Sequence, residues 1–404
     1  MQYKKELLSI ALTLIMIAAC HDLPRKGGKD FGYDRDFIQQ YDSGAVVLKN
    51  GESEIIVSPK FQAKVFTSTA AGDRGQSFGW INYAAFTRPL AAHINPYGGE
   101  NRIWIAPEGG RFSLYFKKGD SMDYAHWQTP AAFDSESWTL LNHDSSSVSL
   151  EKNMEVVNYA GAKLTFLVNR FISILPEKII DSLLGISLDN SVSAVGYQTV
   201  NTLINTGKEP WTETTGMPAI WLLNMLKVSD SNTIVVPYDD SHEKKGKIAT
   251  TDYFGDIPKD RIRYDHSTIF FKADGKKRCK LGVSPDRAKN VFGSYDAIGR
   301  VLTIILYDLE KDSKYLNQEW NTSKPPFSGD AVNAYNDGVL ADGSQLGPFY
   351  ELESVAPAIS LMPGQQHSHR HAVFHFTGDE KGLDAIAQKV LGAALKQIKT
   401  VISL

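Results

Sequence analysis

The chain has 404 residues, of which 42% are hydrophobic and 22% are charged, and its formal net charge is −3. This composition is that of an ordinary globular protein, which excludes collagen-like and intrinsically disordered chains. The charge is nearly balanced and gives no basic surface for a polyanion, so we expect no nucleic-acid partner. The length allows one large hydrophobic core or two modest ones.

The N-terminus has the pattern of an export signal. Lys4 and Lys5 precede a short apolar run, and the small residues Ala18 and Ala19 stand directly before Cys20. A charged start, an apolar stretch and small residues before the cleavage point are typical of a signal peptide. The sequence around Cys20 resembles the bacterial lipobox. That resemblance implies cleavage before Cys20, a lipid on its sulfur, and an anchor in the bacterial cell envelope, on the periplasmic face or outer surface of the outer membrane.

We interpret residues 1–19 as a lipoprotein signal peptide and residues 20–40, which are polar and contain a Gly pair, as a tether. Residues 41–404 are predicted to form a single domain because no linker rich in Pro and Ser divides them; two stacked β-domains are the alternative. If Cys20 carries a lipid, Cys279 has no partner for an intramolecular disulfide. Two cysteines also exclude a Cys-based metal site.

From about residue 44 the chain repeats short runs rich in Val, Ile, Phe and Thr, separated by Gly, Asn-Gly and Ser-Pro. Such runs and breaks are typical of strands and turns. Predicted strands lie, in chain order, in AVVLK, SEIIV, KVFTST, RFSLYF, SVSLEKNMEVV, KLTFLVNRFISIL, VGYQTVNTLI, NTIVV, STIFF, RVLTIILY and HAVFHF. Residues 382–402 carry apolar side chains at helical spacing and predict one C-terminal helix. The predicted fold class is therefore mostly β, a large antiparallel β-supersandwich with a C-terminal helix.

Three segments resemble the galactose mutarotase-like superfamily, to which aldose 1-epimerases belong. Residues 349–376 contain a Leu-Glu-Ser strand, a Leu-Met-Pro-Gly turn and a last strand ending in an aromatic residue. Residues 97–116 begin with Gly-Gly before Asn-Arg-Ile-Trp, and residues 195–211 contain an Asn-Thr-Gly turn. The order of the segments is that of the superfamily, and they span about residues 75–376. More narrowly, the chain resembles an uncharacterised group of envelope lipoproteins.

The resemblance implies a sugar-binding cleft and aldose 1-epimerisation by acid–base catalysis, in which a Glu deprotonates the anomeric hydroxyl and a His protonates the ring oxygen. Glu353 falls on the position of the superfamily's base. The superfamily places its His in the central strand, where this chain has NTLINTG without a His. We expect His369 or His371 to be the acid. His93 and His266 are the other candidates for the acid.

The segment HSHRH places His367, His369 and His371 at alternate positions. In a strand these side chains share one face. A sugar-facing role without metal is the favoured interpretation, and a plain surface or core role is an alternative. Imidazoles at this spacing can also bind zinc, copper or iron together with a carboxylate. We expect no cofactor and keep a metal ion at these three residues as the alternative.

Further residues are candidates for contact with the sugar. A guanidinium and an indole on one strand face suit the hydroxyls and the apolar face of a pyranose, although Trp104 in the core is the alternative. The segment NAYNDG suits hydroxyls or calcium, with a turn as the alternative. The predicted substrate-binding residues are Arg102, Trp104, Glu108, His266, Asn336, Asp337 and Glu351. Lys280, in the basic segment DGKKRCKLG, is the candidate for an anionic sugar if that segment is not a solvated turn.

The sequence therefore predicts an envelope lipoprotein that binds a carbohydrate in a mutarotase-like cleft. The enzymatic hypothesis is aldose 1-epimerisation or related sugar chemistry, with Glu353 as the base and His369 or His371 as the acid. One alternative is a glycan-binding lipoprotein without catalysis. The other is a metal-dependent enzyme that acts on sugars through the HSHRH strand. The predicted partners are a carbohydrate and, through Cys20, a membrane.

Overall fold

A computed structural model describes residues 30–241, 247–340 and 342–402. The predicted signal peptide and the lipidation site Cys20 lie outside these residues. The described residues form eighteen strands and four α-helices. The strands are β1 Val46–Asn50, β2 Ser53–Ser58, β3 Lys64–Thr69, β4 Arg102–Ala106, β5 Thr139–His143, β6 Ser147–Val157, β7 Lys163–Ile174, β8 Val192–Asn205, β9 Ala219–Lys227, β10 Asn232–Pro237, β11 Ile262–Asp265, β12 Thr268–Lys272, β13 Cys279–Val283, β14 Val291–Asp296, β15 Val301–Tyr307, β16 Val332–Asn336, β17 Phe349–Val355 and β18 Gln366–Gly378. The helices are α1 Phe31–Tyr41, α2 Glu177–Leu184, α3 Glu380–Leu391 and α4 Leu395–Thr400.

The strands form three sheets in which neighbouring strands are antiparallel. Ten strands form the large sheet in the order β11-β12-β10-β14-β15-β18-β8-β7-β6-β5. Five strands form the small sheet in the order β13-β16-β17-β9-β4, and β1-β2-β3 form a third sheet. The prediction of a mostly β fold built from antiparallel sheets, with helical structure at the C-terminus, is confirmed.

The alternation of side chains along β18 places the large sheet between two layers. Phe374 and Phe376 face the C-terminal helices and pack in one core cluster with Leu383 of α3. Val373 points the other way, into the larger core cluster that also contains Leu352 of β17 in the small sheet. Successive side chains of a strand point to opposite faces, so each residue of β18 belongs to one layer or the other.

The N-terminal helix α1 lies within the segment predicted as a tether. Phe31 and Ile38 have no exposed surface, and they share a core cluster with Ile56 and Phe66 of the third sheet. Asp30 caps the helix by accepting a hydrogen bond from the Tyr33 backbone N–H at 2.9 Å. Residues 31–40, which the sequence pattern assigns to the tether, are therefore part of the folded domain.

The C-terminal segment, predicted as one helix, forms two. Helix α3 ends at Gly392, whose φ of +70° is a left-handed conformation that glycine adopts without steric cost. Helix α4 begins at Leu395 and packs its buried Leu395 and Ile398 in the same cluster as α3. Within residues 30–241, 247–340 and 342–402, no helix has the length and apolarity needed to cross a membrane.

Candidate functional site

The face of the small sheet that points away from the large sheet carries a pocket of about 590 Å³, a volume that includes space open to solvent. Strands β4, β9, β13, β16 and β17 supply its floor, and the loops that follow β4, β10 and β15 supply much of its walls. The residues that line it are Ile94, Arg102, Trp104, Glu108, Tyr124, Trp127, Trp221, Leu223, Met225, Phe254, Arg278, Lys280, Trp320, Tyr335, Leu346, Phe349 and Glu351.

Aromatic rings form much of the pocket surface. Trp104 and Trp221 meet edge to face, with ring centroids 5.5 Å apart and planes at 78°. Trp127 and Trp320 stack, with centroids 5.8 Å apart and planes at 28°. These contacts fix the indoles, so the pocket presents rigid apolar surfaces of the size of a small ring.

Glu351 and Arg102 form a buried ion pair at the floor of the pocket. Arg102 donates from Nη2 to Glu351 Oε1 at 2.5 Å, and its guanidinium carbon lies 4.9 Å from the centroid of the Trp104 ring. Burial raises the pKa of Glu351 to about 7; the nearby Glu353 carboxylate acts in the same direction and Arg102 opposes the rise. Glu351 can therefore exchange a proton near neutral pH.

Glu353 lies beneath the pocket and not on its surface. It has no exposed area, and one of its oxygens, Oε2, accepts hydrogen bonds from Lys280 Nζ at 3.0 Å and from Trp221 Nε1 at 2.9 Å. Its other oxygen, Oε1, is buried without a hydrogen-bond partner in the structure. Glu351 and Glu353 share a strand face, but Lys280 and Trp221 cover Glu353. The expectation that Glu353 faces the sugar is therefore corrected: its carboxylate lies one layer below the surface of the pocket.

Lys280 of β13 lines the pocket and forms an ion pair with the Glu353 carboxylate beneath it. Its ammonium lies 4.8 Å from the centroid of the Trp221 ring. Burial acts to lower the pKa of Lys280, but the Glu353 and Glu108 carboxylates outweigh burial and raise this pKa. Lys280 therefore stays positively charged at neutral pH, and it is a fixed cation in the pocket.

Glu108 lies where this pocket meets a second one of about 470 Å³. Burial and, to a smaller extent, Glu353 raise the pKa of Glu108, while Lys280 and a hydrogen bond from Trp320 act against the rise. Glu108 therefore holds a proton to higher pH than an exposed glutamate does. The second pocket is lined by Glu108, Tyr253, Phe254, Arg278, Lys280, Gln318, Glu319 and Trp320.

His369 and His371 lie on the opposite side of the small sheet, in the core between the two sheets, and both are fully buried. Ser354 Oγ is 2.9 Å from His369 Nε2 and 2.8 Å from His371 Nδ1, and Asn224 Nδ2 donates to His371 Nε2 at 3.1 Å. Burial lowers the pKa of His369 to about 3 and holds the pKa of His371 well below its usual value. The expectation that these histidines line the cleft is therefore corrected: they are neutral residues of a buried polar network.

The remaining predicted histidines are also outside the pocket. His367 is partly exposed, and its Nε2 lies 3.5 Å from Glu310 Oε1. His266 is exposed in the turn between β11 and β12, where its Nδ1 is 2.5 Å from Asp265 Oδ1. Across the described part of the chain, no group of three or more His, Cys, Asp or Glu side chains is arranged to hold a metal ion. The geometry therefore gives no support to a metal at the HSHRH strand.

Asn336 and Asp337 stabilise the wall of the pocket from behind. The Asn336 side chain accepts from the Gly275 backbone N–H at 2.9 Å and donates to the Lys277 carbonyl at 2.8 Å. Asp337 accepts from the hydroxyl of Tyr335, a residue of the pocket surface, at 2.6 Å. The expectation that Asn336 and Asp337 contact a sugar is corrected, because both side chains are buried and neither lines the pocket. Their hydrogen bonds instead hold the residues of the pocket wall in place.

The sequence matches a family of unknown function, DUF6786, over residues 29–402. The chain belongs to this family. No curated protein matches it.

The chain is similar in structure to three bacterial proteins. The Slr1438 protein of Synechocystis sp. PCC 6803 has 13% identity, with 83% of this chain and 96% of that chain covered and a TM-score of 0.48. A galactose mutarotase-like protein of Lactobacillus casei ATCC 334 has 11% identity, coverages of 82% and 100%, and a TM-score of 0.47. A galactose mutarotase related enzyme of Lactobacillus acidophilus has 11% identity, coverages of 83% and 97%, and a TM-score of 0.42.

Several pocket residues of this DUF6786 chain were not predicted. Trp221 stands in the apolar run AIWLL, which is typical of a core strand, and Trp127 and Trp320 stand in loops far apart in sequence. Arg278 lies within the basic segment DGKKRCKLG, two residues before Lys280, but it is not among the predicted site residues. Of the predicted substrate-binding residues, the pocket brings together Arg102, Trp104, Glu108 and Glu351. The pocket forms where loops pack against strands that are distant in sequence, and no short sequence motif indicates this packing.

Proposed function

We propose that the pocket on the outer face of the small sheet binds a carbohydrate. The observation that carries the proposal is the combination, in one pocket, of fixed indole rings with ion-paired carboxylates and cations on the floor. A pyranose has an apolar C–H face, which stacks on an aromatic ring, and a rim of hydroxyls, which need charged or amide partners. Both kinds of partner are provided by neighbouring residues of β4, β9 and β17.

Proton transfer at the anomeric centre is the second proposed function, and the pKa of Glu351 near 7 favours it. In this scheme Glu351 removes the proton of the anomeric hydroxyl. The bond between the anomeric carbon and the ring oxygen breaks, its electron pair goes to the ring oxygen, and Glu108 supplies the proton there. Reversal of these steps on the other face of the carbonyl gives the other anomer. Two carboxyls kept in different environments are suited to such a division of roles.

The binding proposal is tested by titrating the protein with aldoses and following the fluorescence of the pocket indoles. We expect a saturable change with at least one hexose, and a loss of that change when Arg102→Gln removes the partner of Glu351. Lys152→Gln, far from the pocket on β6, is the matched control and should bind as the wild type does. Absence of a saturable signal with any aldose would overturn the proposal.

The proton-transfer proposal is tested by NMR exchange between α and β anomers of the sugar that binds. We expect the wild type to accelerate exchange over the spontaneous rate and Glu351→Gln to abolish the acceleration while it still binds the sugar. Glu155→Gln, an exposed glutamate of β6, is the control. Binding without any acceleration in the wild type would leave a glycan-binding protein without catalysis.

We also propose that the chain is a lipoprotein of the bacterial envelope, anchored through Cys20. The supporting observation is the sequence pattern of residues 1–19 followed by Cys20. Metabolic labelling with a tritiated fatty acid should label the wild type, and Cys20→Ser should remove the label while Cys279→Ser retains it. Equal labelling of wild type and Cys20→Ser would contradict the anchor.

A further inference from the structure

The cations of the pocket differ in how they are paired. Arg102 is bound to Glu351 at 2.5 Å, and Lys280 is bound to Glu353 at 3.0 Å. Arg278 is the third cation, and it lines both the pocket of about 590 Å³ and the adjoining pocket of about 470 Å³. Among the residues that the structure describes, no carboxylate forms an ion pair with Arg278.

A stacked aromatic ring holds the Arg278 guanidinium in place. Its central carbon lies 3.8 Å from the centroid of the Phe254 ring, and its Nε is buried without a hydrogen-bond partner. Stacking on a ring occupies the flat face of a guanidinium and leaves its edge, which carries the N–H donors, free to bind a ligand. Glu108 and Asp337 feel the charge of Arg278, which acts to lower the pKa of both carboxyls, but neither forms an ion pair with it.

The donor edge of a guanidinium matches an oxyanion. Its parallel N–H groups bind carboxylate, sulfate or phosphate in a bidentate manner, and such charge-assisted bonds are about twice as strong as those between neutral groups. A neutral sugar hydroxyl engages one N–H and leaves the charge of Arg278 unpaired. A partly buried unpaired cation is costly, so an anionic ligand gains more from this site than a neutral ligand does.

We propose that the pocket selects sugars that carry an acidic substituent, and that Arg278 binds that substituent. The inference rests on the proposed function, carbohydrate binding, and it adds the chemical class of the sugar. Arg102 and Lys280 keep their carboxylate partners, contact the hydroxyls of the ring, and do not discriminate between acidic and neutral sugars.

The test compares acidic sugars with their neutral parents on the intact protein. Galacturonate is compared with galactose, and glucuronate with glucose, by calorimetric titration of wild type, Arg278→Gln and the matched control Lys277→Gln, an exposed lysine one residue away. We expect each uronate to bind the wild type about tenfold or more tightly than its parent, since a charged hydrogen bond is worth that much. Arg278→Gln should abolish the preference, so that each uronate binds this variant no more tightly than its neutral parent does, and Lys277→Gln should preserve the preference.

Further titrations identify the preferred type of oxyanion and distinguish failure of this inference from failure of carbohydrate binding. Galactose 6-sulfate and glucose 6-phosphate in the same titrations show whether a tetrahedral oxyanion is preferred to a carboxylate; a preference for either one that requires Arg278 supports the inference. Equal binding of acidic and neutral sugars by the wild type overturns the inference and leaves carbohydrate binding intact. A preference that persists in Arg278→Gln also overturns it. If no sugar of either kind binds, carbohydrate binding and the inference fall together.

Discussion

Glu351 and Glu353 show how two identical side chains, two residues apart on one strand face, acquire different properties. Glu351 reaches the pocket and is paired with Arg102, whereas Glu353 lies beneath Lys280 and Trp221. Strand alternation predicts that they share a face, and this is observed. Alternation does not indicate how deeply each carboxylate is buried. The burial of each carboxylate depends on which side chains of other strands in the same sheet, β9 and β13, cover it.

The raised pKa of Glu351 makes stability depend on pH. The carboxyl titrates near 4.5 when unperturbed and near 7 in the folded chain, so the folded state binds the extra proton between these values. The free energy of unfolding that Glu351 contributes is therefore present below about pH 4.5 and is lost as the pH rises through 7, on the order of 3 kcal/mol. Urea unfolding of wild type and Glu351→Gln between pH 4 and 8 measures it. The difference in unfolding free energy should change across this window, whereas the control Glu155→Gln should follow the wild type.

The buried pair of Lys280 and Glu353 predicts strong coupling between the two residues. Lys280→Met leaves the Glu353 carboxylate buried without its cation, and we expect a loss of about 3–5 kcal/mol in the free energy of unfolding. Glu353→Gln in the same chain removes the stranded charge, so the double variant should be more stable than Lys280→Met alone. Denaturant unfolding of the four chains of this cycle gives the coupling energy. Additive effects of the two substitutions would contradict the pairing.

His369 and His371 of strand β18 lie in the core between the two sheets, not in the predicted sugar cleft. The sequence predicts that His367, His369 and His371 share a face, and His369 and His371 do face the small sheet. Histidine at alternate positions also occurs on solvated strands, so the pattern does not indicate whether that face is wet or buried. The decisive contacts, with Ser354 and Asn224, come from strands β17 and β9, and only the pairing of the sheets brings them there.

Burial of neutral histidines on β18 predicts acid sensitivity. The pKa of His369 is lowered to about 3 by burial, so below about pH 6.5 the unfolded chain binds a proton that the folded chain does not. Stability is therefore lost as the pH falls from 6.5 towards 3. His369→Gln retains an acceptor for Ser354 and removes the titration, so its unfolding free energy should fall less steeply with acid than that of the wild type. Exposed His143→Gln is the control, and sugar binding should be the same in all three proteins at neutral pH.

On the scale of the whole molecule, the large sheet joins the pocket to the C-terminal helices. The helices pack on one of its faces, and the small sheet packs on the other. The sequence predicted many strands, antiparallel pairing and a terminal helical segment from composition and periodicity. It could not predict the pocket, because residues from Ile94 to Glu351 are brought together by strand order, and strand order is a property of the whole chain.

This layered arrangement predicts that the pocket and the distant helix α3 unfold together. Leu383 is fully buried against the helix-facing side of the large sheet, and Leu383→Ala should lower the free energy of unfolding by about 2–5 kcal/mol.

Four of the seven tryptophans line the pocket, so indole fluorescence reports on the small sheet while far-ultraviolet circular dichroism reports on all strands. Both signals should shift to lower denaturant concentration by the same amount, because a cooperative fold loses its layers in one transition. Leu141→Ala, on an exposed edge position, should leave both midpoints in place. A shift of the dichroism signal with unchanged fluorescence would mean that the small sheet keeps its pocket without support from the helices.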